Sequence, residues 1–137
     1  MVRRVLLAFA VFSLAAGAAY AQPQIKKEPI KPVNASDGHA MFVSYCAPCH
    51  GTDAKGTGPA AKALLKAPAD LTGIAKRNGG TFPDVKVKRY IEGADEIAAH
   101  GSRDMPMWGS LFRELSRDTA QIRVQALNDY IKGLQVK

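Results

Sequence analysis

One short stretch limits what this chain can become. Two cysteines are separated by two residues and followed at once by a histidine, in Cys46-Ala47-Pro48-Cys49-His50. This spacing is typical of covalent haem attachment, because positions i, i+3 and i+4 share one face of a helix. Both thiols then reach the vinyl groups of one porphyrin, and a neutral imidazole nitrogen meets its iron. The motif predicts one haem c held by Cys46 and Cys49, with His50 as the proximal iron ligand.

The first residues have the pattern of a bacterial export signal. Two arginines precede the apolar residues 5–16, and small residues at 19 and 21 match a cleavage site. We therefore expect a signal peptide over residues 1–21, a mature chain from Gln22, a periplasmic location and no stable membrane insertion after cleavage. The alternative is an uncleaved signal that tethers the protein to the membrane.

The mature chain divides into an arm and one domain. Residues 22–35 hold three prolines among polar residues and predict an extended, mobile arm. The remaining residues, 36–137, are enough for a single domain. Removal of the two signal arginines lowers the formal net charge from +7 to +5.

The charge pattern bears on partners. No basic run is interleaved with aromatic residues, so nucleic acid is not an expected partner. Gly51 to Glu92 holds eight Lys and Arg against four Asp and Glu. This excess predicts a redox protein partner, donor or acceptor, with an acidic docking face.

The periodicity of the domain predicts an all-α fold of short helices and long loops. Ser36 is the predicted N-cap of the first helix, which Pro48 distorts or ends and Gly51 caps. Thr81 and Asp84 resemble a capping box at the start of a later helix.

The other predicted elements follow from glycine, proline and the apolar stripes. Pro59 can begin a short helix that reaches Leu65, Gly93 can stop the helix that begins near Asp84, and residues 67–80 and 101–109 read as loop. The last helix starts at Ser116 or Asp118 and has the clearest stripe, formed by Val124, Leu127, Tyr130, Ile131 and Leu134. Helices this short bury little by themselves, so a macrocycle would complete the core.

The far side of the iron needs a second ligand, and Met105 is the predicted one. A thioether is a soft, neutral ligand that favours ferrous iron, and Pro106 fixes the backbone beside it. Met107 is the nearest alternative, although it points to the opposite side of an extended segment. His100 is a weaker alternative, and His39 is expected to be solvent-exposed.

Two further residues are candidates for binding around the haem. A ligating histidine usually donates its other ring N–H to a carbonyl, and the Pro59 carbonyl lies in a loop that folds back near His50. Trp108 is predicted to pack on the haem edge or hydrogen-bond a propionate, with ordinary core packing as the equal alternative.

These residues occur together in a known family. They are Gly38-x3-Phe42-x3-Cys46-x2-Cys49-His50-Gly51, Gly56-Thr57-Gly58-Pro59, Met105-Pro106 and the stripe from Leu127 to Leu134. From about Ser36 to the C-terminus the chain resembles the class I monohaem cytochrome c family. The resemblance implies that family's fold, wrapped around one covalently attached haem, its periplasmic location and its electron-carrier role. It also implies that Gly38 and Phe42 meet Leu127 and Tyr130.

The predicted function is that of a periplasmic single-electron carrier with one His/Met-ligated haem c. Both axial positions are filled, so no site is left for a substrate and we do not expect an enzyme. The alternative is a haem c electron-transfer subunit of a larger dehydrogenase or oxidase complex. Two other classes use similar residues: a redox dithiol at Cys46 and Cys49, and a zinc site completed by His39 or His100.

Overall fold

A computed structural model describes residues 32–94 and 105–136, and every regular element within these ranges is helical. In chain order the elements are α1 (Gly38–Met41), a π-helical turn (Phe42–Cys46), α2 (Ala47–His50), a 3₁₀ turn (Ala61–Ala63), α3 (Ile74–Arg77), α4 (Asp84–Glu92), α5 (Trp108–Leu115) and α6 (Ala120–Gly133). The predicted all-α, cytochrome c-like fold of short helices and long loops is confirmed. In these ranges no helix combines the length and the apolar character that a bilayer crossing requires.

Several predictions lie outside the described residues: the export signal at 1–21, most of the arm and His100. The described end of the arm is held against the domain. Arg123 Nη1 donates to the Val33 carbonyl over 2.6 Å, and the Val33 N–H donates to Tyr45 Oη over 3.4 Å. Packing therefore extends N-terminal to Ser36, where the domain is predicted to begin.

The first three elements form one continuous helical run that widens in its middle turn. The Ala47 N–H donates to the Phe42 carbonyl five residues back, which is the hydrogen bond of a π-helix. Pro48 supplies no N–H to the turn before it, so the regular ladder is interrupted there. The predicted distortion is thus confirmed, but α2 continues to His50, and Gly51 ends it with φ 79°.

The run begins one residue later than predicted. Asp37, rather than Ser36, is the N-cap, because Asp37 Oδ1 accepts from the Ala40 N–H over 2.8 Å. The Ser36 N–H instead donates to Asn34 Oδ1 over 3.0 Å. Both residue types cap helices well, and the turn that Asn34 closes decides between them.

The beginning of the first run crosses the last helix at close range. A Cβ atom on Gly38 would overlap the carbonyl oxygen of Ala126 and lie 2.9 Å from Tyr130 Cβ. The rings of Phe42 and Tyr130 have centroids 5.2 Å apart. The predicted meeting of Gly38 and Phe42 with Tyr130 is therefore confirmed, and Leu127 is fully buried in the same core.

Helix α4 ends as predicted, because Gly93 stops it in the left-handed region at φ 74°. The predicted capping box is wrong, because no side chain caps the start of α4. The Asp84 carboxylate is turned toward α6, where it accepts from Asn128 Nδ2 and Lys132 Nζ at 3.0 Å each. Asp84 therefore makes tertiary contacts with α6 in place of the predicted capping box with Thr81.

Helix α5 is missing from the sequence-based prediction, which has only turn-rich residues before Gly109. The sequence predicts a turn-rich loop over residues 101–109, with Gly109 at its end. In the structure Gly109 lies inside α5, where a Cβ atom would be 2.7 Å from the Glu92 carbonyl oxygen. Its role is to let α5 approach the end of α4.

Both predicted starts of the last helix lie before the observed one. Thr119 precedes α6, which begins at Ala120 rather than near Ser116 or Asp118. The apolar stripe is confirmed as the buried face, since Val124, Leu127 and Ile131 are buried.

The loop after α2 folds back onto that helix instead of forming the predicted helix from Pro59 to Leu65. The Gly58 N–H donates to the Cys49 carbonyl over 3.1 Å, and the Ala60 N–H donates to the Pro48 carbonyl over 2.9 Å. Within the predicted span only the 3₁₀ turn at Ala61–Ala63 is helical. Helix α3 was also unpredicted, since it lies within the predicted loop at 67–80.

Candidate haem site

The His50 imidazole is held by a backbone carbonyl. Its Nδ1 atom lies 3.0 Å from the carbonyl oxygen of Ala69, which can only accept, so Nδ1 carries the proton. Burial lowers the pKa of His50, and the hydrogen bond to Ala69 opposes that shift only in part. The ring is therefore neutral at pH 7 with its lone pair on Nε2, the atom that is free to bind a metal.

The acceptor is not the predicted one. Pro59 was the predicted carbonyl partner of His50, but Gly58 and Ala60 on either side of Pro59 are bonded to α2. The Nδ1 contact goes instead to Ala69, nineteen residues from the histidine. A backbone carbonyl has no side-chain signature, so no pattern in the sequence pointed to Ala69. A direct role for Pro59 in haem binding stays a prediction.

The loop that carries Ala69 is hydrogen-bonded to the residues that directly follow the Cys46–His50 motif. The Leu71 N–H donates to the Ala54 carbonyl over 2.8 Å, and the Gly56 N–H donates to the His50 carbonyl over 2.7 Å. Gly56 has φ 81°, and a Cβ atom there would overlap the Pro68 carbonyl oxygen. Glycine is thus required for the two loops to approach each other behind the imidazole.

The two cysteines form no disulfide with each other and lie in different surroundings. Cys46 is buried at the end of the π-helical turn, whereas Cys49 is partly exposed on α2. Burial, with a smaller contribution from Cys49, raises the pKa of Cys46 to about 12. A redox-active dithiol needs a cysteine with a depressed pKa. Cys46 does not have this property.

The donor set fits a c-type haem. Cys46 and Cys49 offer two thiols three residues apart for thioether bonds, and His50 offers a neutral imidazole with a free Nε2. The zinc alternative finds less support. Among the described residues no group of three or more His, Cys, Asp or Glu side chains is placed to hold a metal ion. The His39 ring packs on Tyr130 with centroids 5.3 Å apart.

The two candidate distal ligands lie in the segment before α5. Met105 and Met107 are 37% and 41% exposed. The Met107 side chain fills the space beside Gly93, with its Cγ atom 2.6 Å from the position of a Gly93 Cβ. The Met107 carbonyl also accepts from Ser110 Oγ over 2.9 Å. Met107 therefore has a packing role at the end of α4, and the ligand assignment between the two methionines stays a prediction.

Trp108 belongs to an aromatic cluster. Its ring centroid lies 5.4 Å from that of Tyr45 and 6.2 Å from that of Phe112. Tyr45 directly precedes Cys46, so this cluster joins the start of α5 to the haem motif. The contacts are those of core packing, and a direct contact with the haem edge stays a prediction.

The helical fold, the paired thiols and the oriented imidazole define a c-type cytochrome domain, a class that binds haem and transfers electrons. Residues 33–124 match the family described as cytochrome C oxidase, cbb3-type, subunit III, and the chain belongs to that family. No curated protein and no solved structure matches the chain significantly.

Proposed function

We propose that this protein is a periplasmic single-electron carrier with one covalent haem c, ligated by His50 and Met105. The observation that carries the proposal is the hydrogen bond from His50 Nδ1 to Ala69, because it fixes the tautomer that leaves Nε2 for iron. Cys46 and Cys49 provide the thioether attachments in the same helical run. The haem, when bound, supplies the reversible ferric/ferrous couple.

The residues of the chain orient and bind the haem iron and take no part in a chemical reaction themselves. The Ala69 carbonyl keeps the imidazole of His50 in one orientation and makes it a better electron donor to the metal. Met105 is the proposed distal ligand because Met107 is engaged at Gly93. If His50 and Met105 both held the iron, the bound haem would have no free position for a substrate and little would rearrange on electron transfer.

Spectroscopy of the purified mature protein tests this assignment. We expect a pyridine haemochrome spectrum with one haem c per chain. In the oxidised protein, Met105→Ala should abolish the thioether-to-iron charge-transfer band, whereas Met107→Ala should retain it. Absence of covalent haem refutes the proposal, and the reverse pattern in the two variants refutes the choice of Met105.

We also propose the export route. Residues 1–21 form the signal peptide, and residues 22–35 form an arm whose described end, at Val33, packs against the domain that follows. Mass spectrometry of protein from the periplasmic fraction should give an N-terminus at Gln22. Recovery of the full-length chain in membranes supports the tethered alternative instead.

The proposed partner is a redox protein with an acidic docking face. Of the eight basic residues between Gly51 and Glu92, seven are exposed and Lys88 is partly exposed. Exposed charges of one sign steer an oppositely charged partner, and salt screens that attraction. We expect the rate of electron exchange with an acidic redox protein to fall as salt rises, while reduction by a small neutral reagent changes little.

The family match favours a second candidate function. Its description is that of an oxidase subunit, so the chain is alternatively a haem c electron-transfer subunit of a larger oxidase or dehydrogenase. Purification from native membranes and periplasm distinguishes the two. A stoichiometric partner that persists at high salt supports the subunit, and a monomeric periplasmic protein supports the carrier.

A further inference from the structure

We infer that Gln135 is a positioning residue for the His50 imidazole, acting through the loop that presents the Ala69 carbonyl. The inference rests on the proposed role of His50 as an iron ligand. Gln135 follows α6 by two residues and lies far along the chain from the Cys46–His50 motif.

Both polar atoms of the Gln135 side-chain amide are hydrogen-bonded. Nε2 donates to the Leu71 carbonyl over 2.8 Å and to the Ile131 carbonyl over 2.8 Å. Oε1 accepts from the Ala75 N–H over 2.8 Å. One side chain therefore joins the end of α6 to the loop before α3 and to α3 itself.

The backbone beside Gln135 strengthens the same junction. The Val136 N–H donates to the Thr72 carbonyl over 3.0 Å. Thr72 in turn donates from its N–H and its hydroxyl to Asp70 Oδ1, at 2.8 and 2.7 Å, which closes a tight turn directly after Ala69. The loop is thus held from the α6 side by Gln135 and Val136.

The same loop is also hydrogen-bonded to the segment that follows the Cys46–His50 motif. Leu71 donates its N–H to the Ala54 carbonyl while its own carbonyl accepts from Gln135, so this residue is bonded on both sides. Ala69, two residues earlier, presents its carbonyl to His50. Loss of the Gln135 amide leaves the Leu71 carbonyl without this donor and loosens the loop that orients the imidazole.

The effect on the iron has a definite sign. A hydrogen bond from Nδ1–H to a carbonyl makes an imidazole ligand more basic and favours ferric iron. A weaker bond between His50 and Ala69 therefore raises the midpoint potential. It also exposes the Nδ1 proton to solvent exchange.

The test uses two variants of the mature holoprotein. Gln135→Met removes both polar ends at nearly constant length, and Gln135→Glu retains an acceptor for the Ala75 N–H but removes the donor to Leu71. Gln125→Met is the matched control on the exposed side of α6, where Gln125 bonds Lys88 and Asp129. The measurements are the midpoint potential, the exchange rate of the His50 Nδ1 proton by NMR, and unfolding in urea.

We expect Gln135→Met, which adds no charge, to raise the potential, and both Gln135 variants to exchange the Nδ1 proton about fivefold faster, the factor for one lost hydrogen bond. Gln125→Met should leave both quantities unchanged. If the Gln135 variants lose only stability and keep the wild-type potential and exchange rate, the inference is wrong. If the wild-type protein carries no covalent haem, the proposed function fails first, and the two failures are thereby distinguished.

Discussion

The Met107 Cγ atom lies 2.6 Å from the position that a Cβ atom would take on Gly93. This contact joins the C-terminal end of α4 to the segment that carries both candidate distal ligands. A second close approach, between Gly109 and the Glu92 carbonyl, lies beside it. Two glycines therefore determine how near the Met105 segment comes to α4.

Gly93→Ala should disturb the distal side of the haem. The alanine would have to adopt φ 74° and its methyl group would push against Met107. We expect a loss of stability of about 1–2 kcal/mol from the left-handed backbone alone. We also expect a weaker thioether-to-iron charge-transfer band, because the Met105 segment must shift.

Gly80→Ala is the matched control for that variant. Gly80 also has a positive φ, 89°, but no atom lies within 4 Å of its Cβ position. It should lose a similar amount of stability and keep the charge-transfer band. An unchanged band in both variants would show that the contact with Met107 does not position the ligand.

Gly38→Ala should destabilise the crossing of α1 and α6. The added methyl group overlaps the Ala126 carbonyl and presses on Tyr130, and backbone atoms cannot move aside cheaply. Overpacking of this kind costs about 1–3 kcal/mol. Gly133→Ala in α6 has open space around its Cβ position and should instead be neutral or stabilise by up to about 1 kcal/mol. Urea unfolding of both variants checks the contrast, and equal effects would contradict the predicted close crossing.

The contact between α4 and α6 should weaken in acid. Hydrogen bonds from Asn128 and then Lys132 lower the pKa of Asp84 in the folded state. A group with a lowered pKa contributes stability that is complete above its unfolded value of about 3.9 and is lost as the pH falls through the folded value. Asp84→Asn should therefore destabilise the protein at pH 7, and its difference from the wild type should shrink as the pH falls below about 3.9.

The control for acid sensitivity is Asp129→Asn, on the exposed side of α6. It removes the same charge without touching α4. Unfolding midpoints measured from pH 7 down into acid should show a loss for Asp84→Asn that shrinks as the pH falls, whereas Asp129→Asn should stay close to the wild type throughout. If Asp84→Asn differed from the wild type by the same amount at every pH, Asp84 would not be the cause of the acid sensitivity.

The N-cap of α1 can be assigned by comparing substitutions at Asp37 and Ser36. Asp37→Ala removes the side chain that accepts from the Ala40 N–H and should cost about 1 kcal/mol. Ser36→Ala should cost much less, because the Ser36 side chain does not cap α1. Urea unfolding decides, and a larger loss for Ser36→Ala would restore the N-cap predicted from sequence.

Local signals predicted the elements that depend on local interactions. The stop at Gly93, the cap at Gly51 and the distortion at Pro48 are backbone properties of single residues, and all three are found. The stripe in α6 is buried as its period predicts. Elements that depend on distant partners were missed: α5 is tolerated because Gly109 packs on Glu92.

The candidate site shows the same division between local pattern and tertiary contact. The spacing of Cys46, Cys49 and His50 is enough by itself to predict a haem and to name its proximal ligand, because one helix presents all three. The tautomer of His50 is a different matter. It depends on a carbonyl at Ala69, which any residue would supply and which only the folded loop brings within 3.0 Å.

The sequence by itself therefore determined the chemistry: two thiols and an imidazole on one helical face, in a chain of short helices. The tertiary structure decided which tautomer the imidazole adopts, which methionine packs against Gly93 and which distant side chain, Gln135, ties the loop behind His50. Residue types and their spacing carry the first kind of information. Backbone carbonyls and close approaches between helices carry the second, and these exist only after long-range packing has formed.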